Sequence, residues 1–464
     1  MDKRKTVIKI IFFVFVMSAV LLSADKVLLV KYPDGIYSMK RFYELKDNTV
    51  DVLFIGNSHA FETYNTSVMW DSHGISSYVL AGSQQPTWNT YFFLKEALKT
   101  QKPDVIVMDA VGCICNFDYT DDPTQMKNCY GMKPSLNKIE AMCVSSSLDR
   151  MEFFVPISNY SSRYSELSAE DFLGSSDIPK YKYWMGFASN YKNEAFETPR
   201  LQPADETIPM GKKTEKYYRK ILELAKEKNI PVVVVVTPYP CISTEDAAYF
   251  KSAENIAKEY NAAFLNPALD PASIGLDFKR HASDDSHLNA EGNRIYTAYF
   301  ADYLKSHYEI PDRRGDPAYL DWEKCSEYLK RMDSNYQLRT LNDYESICRH
   351  IKAGQYSFFA IVGENCTNAS EILSPLGMKD CKADSVYFYS DGQTELLFKE
   401  ADTISYRDIY LRFHNDLVYS DRNRLAEKYT AGANTVKIVV YDRTTDDICD
   451  VFSIDGRDLQ KLCR

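Results

Sequence analysis

The chain has 464 residues, 45% apolar and 26% charged, which provides for two or three packed domains and excludes global disorder. A net charge of −10, with no basic run beyond the first few residues, argues against nucleic acid as a partner. Eleven cysteines leave at least one without an intramolecular partner, and none has CxxC spacing, so neither a zinc site nor a disulfide scaffold is expected.

Lys3, Arg4 and Lys5 precede an uncharged run over residues 10–22. With Val7, Ile8 and a snorkelling Lys9 it approaches membrane-spanning length. Two readings fit residues 1–30: an uncleaved anchor, or a signal peptide cut near Leu22-Ser23-Ala24. Both leave the basic end in the cytoplasm and place the rest outside, where a few disulfides are open to it.

After a short leader, 32–48, strand-like and helix-like runs alternate. Residues 50–55 form a first strand that stops at Gly56-Asn57-Ser58. Asn65 or Thr66 caps a short helix that ends before Gly74. Residues 77–80 give a second strand ending at Ala81-Gly82, 91–100 a helix, and 105–109 a third strand. The pattern breaks over 110–210, an insertion rich in Tyr, Ser, Asn and Phe that suits a substrate cleft. Its Tyr181-Lys182-Tyr183-Trp184 cluster lines that cleft or packs as a hairpin. Of the 34 tyrosines, most are expected on sheet surfaces and in packing.

The rhythm resumes at Thr214 with an amphipathic helix that Asn229 and Pro231 end. Five valines, 232–236, make a strand buried on both faces. Ser243 and Asp246 form a capping box for a helix to about Tyr260. A fifth strand, 263–265, precedes a last helix over 289–306. The prediction is an α/β, three-layer doubly wound parallel sheet over residues 31–310. Pro311 to Pro317 reads as a linker into a small α+β module, 311–464. In that module strands fall at 356–362, 385–389, 408–413, 435–441 and 448–452, and a helix at 368–376.

Serine at the end of a first parallel strand exposes its hydroxyl where α/β enzymes place their chemistry. Before the last helix stands Asp284-Asp285-Ser286-His287, in which a carboxylate and an imidazole three apart can turn toward each other. Such a pair supplies the base that an unassisted serine lacks. Spacing favours Asp284 over Asp285. His59 is expected behind the site or in packing, His281 in a solvated loop or at the rim of the cleft, and no metal site from the scattered histidines.

Gly56-Asn57-Ser58, Gly82 and Asp284-x-x-His287, in this order, resemble the blocks of the SGNH (GDSL-type) hydrolases, and the flanking residues resemble a membrane-anchored bacterial branch related to glycan O-acyltransferases and esterases. The resemblance covers about residues 38–308. It implies Ser58 as nucleophile, His287 as general base, Asp284 as its orienting partner, and the amides of Ser58 and Gly82 as oxyanion donors. It further implies no cofactor, a glycan or acyl-ester substrate, and work beside a membrane acyl exporter. The chain departs from the pattern at Asn57, where Asp is usual, and at Asp109-Ala-Val-Gly112, where a Gly-x-Asn block is expected. A third oxyanion donor is therefore open among Asn116, Gln84 and Gln85. The carboxyl-terminal module resembles interleukin-like surface domains. A noncatalytic glycan-binding scaffold is the alternative reading.

Overall fold

The apolar runs expected between residues 50 and 265 all become strands of one five-stranded parallel sheet. The computed structural model describes residues 3–30, 32–120, 123–147, 160–167, 169–172, 182–199, 201–397 and 403–463, apart from 407–408, 415–416, 421–426, 429–432 and 446. The chain divides into two units, Met1–Glu327 and Tyr328–Arg464.

In the first unit, α1 (Lys3–Leu28) is followed by a tight turn, Pro33–Tyr37, and α2 (Ser38–Phe42). Then come β1 (Val52–Gly56), α3 (Ser58–Thr63), α4 (Thr66–His73), β2 (Ser77–Ala81), α5 (Thr87–Ala97) and β3 (Val105–Asp109). The insertion contributes α6 (Pro123–Tyr130) and α7 (Leu136–Ser145). After it follow α8 (Lys212–Glu227), β4 (Val232–Val235), α9 (Thr244–Glu259), β5 (Ala263–Leu265), α10 (Phe278–His281) and α11 (Ala290–His307).

The strand order is β2-β1-β3-β4-β5, every pair parallel. This is a doubly wound sheet. Register aligns Gly56 with Ala81, and Asp109 with Val235, so the carboxyl ends of four strands share one edge. The four valines of β4 are buried, as a strand covered on both faces requires. On one face Phe54 stacks on Tyr64 at 4.1 Å and meets Phe300 of α11 at 6.3 Å. Burying each such ring stabilises the unit by roughly 1.5–3 kcal/mol. On the other face Tyr218 of α8 donates to the Ala253 carbonyl of α9.

Local signals set several boundaries. Asn65 accepts from the Ser67 and Val68 amides at the start of α4, and Gly74 closes it at φ 66°. Ser243 and Asp246 make the expected capping box. Helix α5 begins four residues earlier than expected, directly after Pro86, because Trp88, Asn89 and Thr90 are buried against their surroundings despite modest helix propensity. Among its described residues the 110–210 region carries α6, α7 and short 3-10 helices where no pattern was legible. The 32–48 leader belongs to the core: Ile36, Tyr37, Met39 and Phe42 are buried, and the Ser38 carbonyl accepts from Tyr78. Segment 311–317 is held to this unit by Arg313, whose guanidinium donates to both oxygens of Asp51.

Helix α12 (Leu320–Thr340) was not foreseen; in the first unit its Trp322 indole donates to the Ser77 carbonyl at 2.8 Å. The second unit continues with α13 (Tyr344–Ala353), β6 (Ser357–Val362), α14 (Ala369–Leu373), β7 (Ser385–Ser390) and β8 (Gln393–Leu397). Next are β9 (Thr403–Tyr406), β10 (Ile409–His414), β11 (Leu417–Ser420), β12 (Glu427–Lys428), β13 (Thr435–Asp442), β14 (Asp447–Asp455) and β15 (Asp458–Cys463). They form an antiparallel six-stranded sheet, β15-β14-β13-β6-β7-β8, and a four-stranded one, β12-β11-β10-β9. Phe358, Ile438 and Phe452 pack with Ile347 and Ile372 on one face of the larger sheet, and Phe359, Val439 and Val451 on the other. The helix expected over 368–376 tightens to a 3-10 turn at Ser374, where Pro375 supplies no N–H.

Candidate active site

Strand β1 ends on Gly56 at φ +154°, where a side chain would sit 2.9 Å from the Asp109 Cβ. Only glycine allows that approach. Asn57 then caps α3 by accepting from the His59 amide at 3.1 Å, which leaves Ser58 at the first helical position.

The partner comes from the loop before α11. The Ser283 amide donates to the His287 carbonyl, and the Ser286 amide donates to Asp284 Oδ1 at 2.8 Å, so the loop folds back on itself. Asn289 caps α11 through the Glu291 and Gly292 amides and ties the loop down by donating to the Arg280 carbonyl at 2.7 Å. In this frame His287 Nε2 lies 2.8 Å from Ser58 Oγ. Its Nδ1 lies 2.9 and 3.1 Å from the two oxygens of Asp284. With the proton on Nδ1, the imidazole donates to the carboxylate and accepts from the serine. Asp285 is turned away, accepting from Ser286 Oγ.

Gly82 is the first residue beyond β2, next to the Gly56–Ala81 pair. Of the three residues considered as further donors, Gln85 is buried with its Nε2 engaged by Thr90 Oγ1 at 3.1 Å. Gln84 is exposed at φ 51°, and Asn116 is exposed beside Gly211. The structure assigns none of them to Ser58.

Three polar neighbours were not singled out from the sequence. Asp109 ends β3 beneath Gly56, accepts from Thr237 Oγ1 at 2.5 Å and from the Val111 amide at 2.8 Å, and is pushed up to about 6 by burial. Its place at the carboxyl end of a parallel strand was the signal that could have found it. Glu62, one turn after Ser58, is held above the usual carboxylate range by burial, and Asn190 donates to it at 3.4 Å. Tyr239 packs edge-on against His59, ring centres 4.8 Å apart. His59 itself is buried, with its ring 5.1 Å from that of His287, and burial holds its pKa well below the usual value.

His281, expected in solvent, is 4% exposed, and its Nδ1 accepts from the Asp277 amide. Tyr181 of the aromatic cluster lies outside the described residues; the Trp184 carbonyl accepts from Thr66. A cavity of 630 Å³ lined by Thr198, Leu269, Pro271 and Asp277 includes neither Ser58 nor His287. Among the described residues no cluster of three His, Cys, Asp or Glu side chains could hold a metal ion, and ten cysteines are unpaired. One described helix, Arg4–Leu28, is long and apolar enough to cross a membrane or to serve as a signal sequence.

No protein-family model matches the chain, and no curated protein matches it. Solved structures similar to it include a protein described as an acylhydrolase from Bacteroides fragilis (12% identity, 57% of this chain and 93% of that one, TM-score 0.27). They also include BT4096, a gut microbial diltiazem-metabolizing enzyme (10% identity, 56% of this chain and 48% of that one, TM-score 0.28). A mutant of the esterase AlinE4 shares 13% identity over 56% of this chain and 97% of its own, at a TM-score of 0.23. Likeness at this level leaves the chemistry to be argued from this chain's own residues.

Proposed function

We propose that the chain is a serine acyl-transfer enzyme that acts on O-acyl esters, acetyl foremost, of a cell-surface or extracellular glycan. The observation that carries this reading is the unbroken hydrogen-bond chain from Ser58 through His287 to Asp284. Ser58 Oγ attacks the ester carbon as its proton passes to His287 Nε2. Asp284 steadies the imidazolium, and the amides of Ser58 and Gly82 donate to the developing oxyanion. Collapse expels the alcohol, which takes the proton from His287 and leaves an acyl-serine. Water or a sugar hydroxyl then gives its proton to His287 and takes the acyl group, so the same site serves esterase or O-acetyltransferase. The apolar helix Arg4–Leu28 supports a chain tethered at a membrane, with the site on the outer side and an acyl exporter as neighbour.

Full-length protein in detergent should release acid from an aryl acetate, and Ser58→Ala should lower that rate at least about 10⁴-fold. Equal rates for wild type and variant, with and without an added oligosaccharide, would overturn the proposal. The partition of acetyl between water and oligosaccharide separates hydrolase from transferase.

A further inference from the structure

Gly82 opens a turn that closes when the Gln85 amide donates to the Gly82 carbonyl at 3.1 Å. Both main-chain groups of the next residue are held by distant segments. The Ser83 amide donates to Asp34 Oδ2 at 2.6 Å, and the Ser83 carbonyl accepts from Asn128 Nδ2 at 3.3 Å. Asp34 Oδ2 also pairs with Lys127 Nζ at 2.8 Å, and that ammonium lies 4.4 Å from the centre of the Tyr32 ring. Asp34, Lys127 and Asn128 are 6%, 2% and 0% exposed, so water competes for none of these contacts.

Such a pair adds little net stability, because desolvating two ions offsets their attraction. It does fix the carboxylate against the Ser83 amide. Close packing tightens the arrangement: a Cβ on Gly82 would lie 2.1 Å from Asn128 Oδ1, and one on Gly131 2.3 Å from the Gly35 carbonyl. Gly35 itself, at φ +66°, brings the chain back to this contact. The turn after β2, the end of α6 and the segment after α1 are therefore locked as one block.

We propose that Asp34, held by Lys127, is a positioning residue that fixes the Gly82–Ser83 turn so that the Gly82 amide meets the oxyanion. This rests on the Ser58 acyl-transfer reading. A donor aimed at the oxyanion acts in the transition state, so loss of its aim lowers kcat rather than raising KM.

The test compares two charge-neutral pairs of substitutions in the full-length protein in detergent. Asp34→Asn with Lys127→Met keeps an acceptor oxygen for the Ser83 amide, whereas Asp34→Leu with Lys127→Met removes it. On an aryl acetate the first pair should keep kcat within about threefold of wild type. The second should lose about 10- to 100-fold in kcat with KM within about threefold, both variants melting well above the assay temperature. Two folded variants with kcat values within about twofold of each other, or a loss confined to KM, would overturn the proposal. Absence of any Ser58-dependent turnover in the wild type would instead sink the acyl-transfer reading beneath it.

Discussion

In the parallel sheet all strands run one way, so Gly56, Ala81, Asp109 and Val235 finish side by side. In the six-stranded sheet of the second unit, neighbours finish at opposite edges: the end of β6 at Val362 lies beside Val436, near the start of β13. The first arrangement gathers loops from distant parts of the chain at one rim, and it sets Ser58 against His287, 229 residues away. The second pairs every strand antiparallel to its neighbours and places its side chains on two apolar faces. Its buried Asp442 is satisfied within the unit, pairing with Arg331 at 2.8 Å and accepting from Asn335 at 2.9 Å and Thr445 at 3.1 Å. Similar β-branched and aromatic residues thus build a rim where distant loops meet in one unit and a packed slab in the other.

The sharpest challenge to this contrast is Asp284→Asn, which should lower kcat on an aryl acetate by about 10³- to 10⁴-fold while the fold is kept. A loss under about tenfold would mean that the gathered rim is not a working assembly. Next, Ile438→Ala in the slab should cost its unit about 2–5 kcal/mol in denaturant melts. Ser58-dependent turnover below the transition should stay within about twofold of wild type; a parallel fall would break the division of labour. The smallest effect concerns Asp109. Its folded-state pKa of about 6 lies above the ordinary 3.8, so the native state holds the proton longer than the unfolded chain. Its contribution is therefore fully present below the unfolded value and is lost as pH rises through about 6. Relative to wild type, Asp109→Asn should gain stability between pH 4 and 7, by up to about 3 kcal/mol. A difference that stays flat across that range would refute burial as the cause.

The elements legible in the sequence were those whose signals are local. Four valines in β4, the Ser243–Asp246 capping box, and Asn65 with Gly74 around α4 each declare themselves within a few residues. The burial of residues 32–48 and helix α12 were not legible because they depend on partners far along the chain, such as Arg41 with Asp321 at 2.6 Å and Trp322 with Ser77. The same division runs through the candidate site. Ser58, Asp284 and His287 sit in short motifs that can be read as written. Asp34 and Asn128, 49 and 45 residues from Ser83, carry no mark until the turn after β2 is built.

The long separation of Ser58 from His287 has a consequence for the life of the chain before it is finished. Synthesis at about 5–20 residues per second leaves the hydroxyl without its imidazole for roughly 10–50 s. In the finished fold β5 lies at the edge of the sheet and α11 packs beside β1 through Phe300 and Phe54, and the chain between β5 and α11 carries His287. In the proposed reaction, then, the nucleophile is born inert. Its reactivity waits until the chain has been made as far as His287.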